Sequence, residues 1–442
     1  MEEIDGPQTG SIFSFDVFIS LVLLVVTLLS FKTTIGEAFS GEEEERLAPI
    51  KFFMLAMCCI SFLVLIIYGA RINRDNLFLW IAVFYVFAAM FSTFFSGLYI
   101  TSALPFKFIR LSYWAWVMII SYYAALHLKT LKYYVVIVIL LLPVLFYFFL
   151  VSMRTGRDWE GSSLALNPVF YLSFLMPVVL LLRSKILKIA GVLLMFAAVL
   201  ISYKRSAMIS LVTAIPVYFY ARITLGNSAK HKRLIPVLLG GAFLLLLLVF
   251  SFYYISSVFD LDWTARLEGL TTDRGSGRLD RYLGYLGLMG SQSPYQWIMG
   301  NGYYATEYTP YGYAHNDIIE VLYSFGLVGL TLYLLFVGQL AKIFFEMKKT
   351  QYKHFDAFAV SLVIFFWGTM FSMLIIIPYW FLNLAFFWGW VIADFHNAKR
   401  YGDPEKIGNP LYHYAAYDHE CQYEYENDGG HENMSLNEVE EL

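Results

Sequence analysis

The chain has 442 residues, 59% of them hydrophobic and only 15% charged, with a formal net charge of −3. Its apolar residues fall in runs of about 17 to 23, the length a helix needs to cross hydrocarbon, which excludes an ordinary soluble domain. A balance so close to neutral gives no reason for a nucleic-acid partner, and the basic residues divide by membrane side instead.

The acidic stretch 1–11 lacks a basic n-region and a small-residue cleavage site after the first apolar run, so it reads as a cytoplasmic tail with the first helix retained. Spans are expected over 12–31, 50–70, 78–96, 111–127, 132–151, 166–183, 186–202, 207–222 and 235–256, filling residues 12–256. Three more are expected over 326–345, 356–377 and 379–395, the last two parted by Pro378. Between the two sets lies a stretch at 257–325 that is richer in Gly, Asp, Arg, Tyr and Trp than anything before it. Loops of that length are uncommon without function or internal structure, so short helices are expected within it. The fold class is therefore an all-α polytopic membrane protein of about twelve transmembrane helices. Both termini face the cytoplasm and one large extracytoplasmic loop carries the chemistry.

Orientation follows from charge. Arg71, Arg74, Lys129, Lys132, Arg183, Lys185, Lys188, the Arg222–Arg233 cluster and Lys342–Lys353 all fall on one side, which becomes the inside. That rule leaves Lys107, Arg110, Arg154, Arg157, Lys204, Arg205, Arg266, Arg274, Arg278 and Arg281 outside without explanation, and cations near membrane ends invite an anionic ligand. The run Glu42–Glu45 reads as a solvated outer loop, and the acidic, Tyr-rich tail 396–442 as disordered for most of its length. Neither the cysteines (Cys58, Cys59, Cys421) nor His413, His419 and His431 have metal-ligand spacing, so no metal is expected.

The most informative segment is Tyr313-Ala314-His315-Asn316-Asp317-Ile318-Ile319-Glu320, running on to Gly326-Leu327-Val328-Gly329. Asn316 starts a short helix and the two glycines allow a tight corner into the next span, with His315 at the helix entrance. A histidine there serves as a general base or donor, with Asp317 or Glu320 orienting its ring; the bland reading is a histidine that merely caps the helix. Upstream, Arg278 and Arg281 are three apart, hence on one face of a helix, and two guanidinium forks suit a pyrophosphate. Surface arginines paired with Asp273 and Asp280 are the alternative there. Gly300-Asn301-Gly302 is a tight turn, and Arg205 either reaches the same cavity or anchors the interface. Asp260-x-Asp262 follows a span rather than a strand and is set aside as a metal pair.

Taken in order, Arg205-Ser206, Ser276-Gly277-Arg278, Gly300-Asn301-Gly302, His315-Asn316 and Gly326-x-x-Gly329 resemble the O-antigen ligase and O-antigen polymerase superfamily over roughly residues 190 to 345. The resemblance implies an enzyme of the bacterial cytoplasmic membrane that works without a cofactor. It moves a glycan from undecaprenyl pyrophosphate to an acceptor hydroxyl on the outer face. It further implies Arg278 and His315 as catalytic residues, and Arg205, Arg274, Arg281 and Asn316 as substrate-binding residues. Asp317 or Glu320 is the implied orienting carboxylate. The implied partners are an undecaprenyl-pyrophosphate-linked oligosaccharide, the lipid bilayer and a chain-length regulator, with no nucleic acid. Polymerisation of lipid-linked repeats is the first reading and ligation to lipid A-core or another acceptor the second. A transporter is the reading from another class, disfavoured because the span interiors carry almost no ionisable residues.

Overall fold

The computed structural model describes residues 48–69, 75–96, 104–127, 131–160, 169–202, 204–225, 277–375 and 381–402, with five single helical positions between 246 and 257. The first expected span, most of the ninth, Arg266, Arg274, the Asp260-x-Asp262 pair and the tail beyond 402 lie outside the described residues. Within them the regular elements are all helices, with no strand.

Thirteen α-helices are described: α1 Ala48–Gly69, α2 Leu77–Phe95, α3 Leu104–His127, α4 Leu131–Glu160, α5 Val169–Ser173, α6 Met176–Leu180, α7 Lys185–Ser202, α8 Arg205–Thr224, α9 Arg278–Gly290, α10 Pro294–Met299, α11 Asp317–Thr350, α12 Phe355–Phe371 and α13 Leu382–Arg400. Four of these, Leu77–Phe95, Lys185–Ser202, Arg205–Thr224 and Asp317–Thr350, are long and apolar enough to cross a membrane. Most expected spans coincide with a helix, but the one at 166–183 is broken into α5 and α6. Pro177 at the start of α6 has no N–H to donate, and its ring would clash with the carbonyl four residues back, which stops α5 at Ser173. Helix α13 also continues past the expected end at 395 to Arg400, and α4 runs on to Glu160, carrying Arg154 and Arg157 on helix.

Helix α3 lies between α1 and α13, α2 packs along α11, and α8 along α12. Aromatic rings fill the joints. Trp114 of α3 meets Phe336 of α11 at 5.3 Å and Phe381 at 5.4 Å, while Trp388 of α13 meets Phe365 of α12 at 5.0 Å. The Trp388 indole N–H donates to Ser361 Oγ at 2.8 Å, so this ring is buried without an orphaned donor.

The two ends of the bundle differ. At one end Arg222 pairs with buried Asp356 at 2.7 Å, Lys399 with Glu346 at 3.2 Å and Arg400 with Asp75 at 3.8 Å. Arg222 is among the residues that the charge rule assigns to the cytoplasmic side. The C-terminal end of α2, the start of α8 and the start of α11 meet at the opposite end, where residues 277–325 fold over them.

Candidate active site

The stretch 277–325 is held in place by a backbone lock. Gly326 has φ 65° and ψ −164° inside α11, which divides the helix into a short piece from Asp317 and a long membrane piece. Gly300 has φ 80° and ψ −172°, and both lie in a region that is essentially reserved for glycine. The two face each other: a Cβ on Gly326 would lie 2.3 Å from Ile298 O and 2.6 Å from Gly300 N, and one on Gly300 would lie 2.3 Å from Ser324 O. Direct backbone contact lets Gly302 N–H donate to Ser324 O at 2.7 Å and Asn301 N–H to Tyr323 O at 3.1 Å. Helix α2 completes the lock, with Ser92 Oγ donating to Ser324 O at 2.9 Å and Tyr303 N–H to Thr93 Oγ1 at 2.9 Å. The Gly-Asn-Gly turn and the Gly-x-x-Gly corner are thus two halves of one structure.

Helix α9 presents Arg278, Arg281, Tyr282 and Tyr285 at helical spacing. Tyr285 is fully buried and its phenol reaches Thr309 Oγ1 at 2.9 Å, Thr306 O at 3.2 Å and Gly312 O at a short separation, which fixes the rotation of α9. Arg281 then donates from Nη1 to Tyr313 O at 3.3 Å, and the Arg278 guanidinium stands 5.5 Å from the centre of the Phe371 ring at the end of α12. Both arginines face the loop that carries His315. Of the acids weighed as surface partners for the two arginines, Asp273 lies outside the described residues, and the hydrogen bond described for Arg281 is the one to the loop backbone.

A third cation comes from another element. Lys204, the residue before α8, has its ammonium 5.6 Å from the Phe170 ring and close enough to His315 to act on its proton. Burial pushes the His315 imidazole down to about 3, with Lys204, Arg281 and Arg278 adding repulsion in that order. The ring is therefore neutral throughout the physiological range, the form that accepts a proton. Arg205 begins α8 half-buried at the same turn, but Lys204 is the residue there whose charge reaches His315.

The structure gives the other loop candidates backbone partners. Asn316, expected to bind substrate, caps α11: its Oδ1 accepts from Ile318 N at 3.0 Å and Ile319 N at 3.3 Å, and its Nδ2 donates to Met370 O at 3.3 Å. An amide whose oxygen and nitrogen both hold backbone has little left for a ligand. Asp317 and Glu320, expected to orient the imidazole, hold backbone too. Asp317 Oδ1 accepts from Ile375 N at 3.3 Å, and Glu320 Oε1 accepts from Ala314 N at 2.5 Å and His315 N at 3.3 Å. Both carboxyls are fully buried, and burial pushes Asp317 well above the usual carboxylate range.

Sequence reasoning gave no individual site role to Lys204, Tyr282, Tyr313 or Phe371. Lys204 had a signal, since it stood among the basic residues that the charge rule left outside. Tyr282 meets the Asn316 side chain and feels the charge of both arginines, and nothing in the sequence brings Phe371 beside α9. A second cluster lies beside the first, with Arg110 5.9 Å from the Tyr304 ring and Tyr304 packed edge-on against Tyr313 at 6.1 Å.

Residues 190–334 match the family model described as O-Antigen ligase, a span that takes in Lys204, α9, the Gly-Asn-Gly turn, His315 and the Gly326 corner. The likeness to the O-antigen ligase and polymerase superfamily read from the motif order is shown over that span. No curated protein and no solved structure matches the chain.

Proposed function

We propose that the protein is a membrane glycosyltransferase that joins undecaprenyl-pyrophosphate-linked oligosaccharides into a surface polysaccharide on the outer face of the bacterial cytoplasmic membrane. The observation that carries this reading is the convergence of Lys204, Arg278 and Arg281, from two separate elements, on one neutral histidine. A diphosphate matches such a cradle in charge and in hydrogen-bonding geometry. The cations bind the donor and stabilise the negative charge that gathers on the pyrophosphate as the glycosidic bond breaks. His315 takes the proton of the acceptor hydroxyl as its oxygen attacks the anomeric carbon from the opposite face, which inverts that centre. Donor binding also arms the base. Once the diphosphate offsets the three charges, their repulsion of a proton on the imidazole fades and its basicity rises.

The backbone lock serves this chemistry by fixing the loop. Positioning a base and a leaving group within one rigid frame removes entropy from the barrier, and loops displaced by an ångström lose much of that benefit. Ligation to another acceptor is the second reading, favoured by the description of the matched family. Both use the same donor cradle and base, and differ only in the acceptor.

The test is purified protein in lipid with a short undecaprenyl-pyrophosphate oligosaccharide as sole substrate, with products separated by size. A ladder that His315→Ala and Arg278→Ala abolish is the expected result. Turnover only after a second acceptor is added identifies a ligase, and no turnover under either condition overturns the transferase.

A further inference from the structure

The backbone at His315 is held in an unusual state. Its φ is 56°, in the left-handed region that non-glycine residues seldom occupy. One atom spans the bend: Glu320 Oε1, which accepts from the amides of both Ala314 and His315. Glu320 sits in the first turn of α11, whose start is fixed by the Asn316 cap, so the carboxylate reaches back from a rigid element to the strained one. Its other oxygen, Oε2, is buried and meets no donor at hydrogen-bond geometry among the described residues.

We infer that Glu320 is a positioning residue for His315, and that ionisation of Glu320, not of His315, sets the acid limit of the transfer reaction. This rests on the reading of His315 as the reacting base. Two consecutive amides make charge-assisted bonds to a carboxylate, and these weaken when Oε2 takes a proton. The strained corner then loses its restraint and the imidazole drifts from the acceptor hydroxyl.

The surroundings decide where this happens. Burial raises the Glu320 carboxyl to about 7, opposed by the Thr306 hydroxyl alongside and by the amides of Ala314 and His315. Asp317 on the same helix and Tyr285 from α9 also face it, and no cation is among the groups acting on it. Lys204, Arg278 and Arg281 act on the His315 ring instead. The sign for stability is opposite to that for activity. A carboxyl raised in the folded state stabilises the fold fully below its unfolded value, and that contribution is lost as pH rises through about 7. Activity grows over the same range.

The test compares wild type with Glu320→Gln, in lipid with a lipid-linked oligosaccharide donor, from about pH 5.5 to 8.5. Wild type is expected to lose rate below a midpoint near 7. Glu320→Gln mimics the protonated form: it is expected to bind donor normally and to turn over at the low acid-form rate with no step across that window. A wild type without the step, or a Gln variant that keeps it, overturns the proposal. Hydrogen exchange of the peptide containing Ala314 and His315, corrected for intrinsic rates, gives a readout independent of catalysis. Protection should fall below about pH 7 in wild type only; equal protection in both proteins at every pH refutes the clamp. Absence of transfer by wild type, with the protection difference present, instead places the failure in the transferase reading.

Discussion

Gly326→Ala tests whether the lock holds the candidate site. The added methyl would sit 2.3 Å from Ile298 O and 2.6 Å from Gly300 N, and both are backbone atoms that cannot rotate away. The residue must also keep φ 65° and ψ −164°, which costs an L side chain roughly 1–3 kcal/mol. Overpacking of this kind adds about 1–3 kcal/mol more. A total of about 2–6 kcal/mol is a large share of a typical folding free energy. The same shift moves the Gly300–Gly302 turn off Ser324, so glycosyl transfer should fall even in molecules that remain folded. Thermal unfolding in lipid nanodiscs, followed by transfer activity on the folded fraction, measures both effects. Gly338→Ala is the control, since a Cβ there meets nothing within 4 Å, and replacing a mid-helix glycine should be neutral or gain up to about 1 kcal/mol. Wild-type stability and activity in Gly326→Ala would refute the lock.

Tyr285→Phe removes a buried hydroxyl that holds three groups of the 306–312 loop, and should lower stability by about 1–3 kcal/mol while raising donor KM as α9 loosens; denaturant titration and kinetics check the two effects. Arg222→Ala leaves Asp356, 2% exposed, without its 2.7 Å partner; because Arg222 is 44% exposed and water screens the pair, the loss should be about 1–3 kcal/mol in unfolding measurements, with donor binding in the folded fraction unchanged because the pair lies at the far end of the bundle. Asp356→Asn should be the milder change.

How much of this was legible follows from the range of the interactions involved. Among the described residues most helix positions came through, because an apolar run must satisfy its own backbone, whatever surrounds it. The break at Pro177 did not, because Pro143 and Pro216 are accommodated inside α4 and α8, and nothing local separates the cases. Arg278 and Arg281 shared a face by spacing alone, and the Asn316 cap and Gly326 corner were visible as helix punctuation. The partners of those residues were not visible. Glu320 grips the Ala314 and His315 amides rather than the ring, which depends on the left-handed turn at 315. Lys204 and Phe371 join the site only through the packing of α8 against α12. The reason for Gly300 and Gly326 is each other, a relation invisible to any window of sequence.

The central claim is that Arg278 belongs to a diphosphate cradle and His315 to the proton transfer beside it. Binding of an undecaprenyl-pyrophosphate oligosaccharide to wild type, Arg278→Ala and His315→Ala in lipid tests it most directly. His315→Ala should bind the donor as tightly as wild type yet fail to turn it over, while Arg278→Ala should lose about tenfold or more in affinity, the loss of one charge-assisted contact. Unchanged donor affinity in Arg278→Ala, or turnover by His315→Ala, would contradict the account.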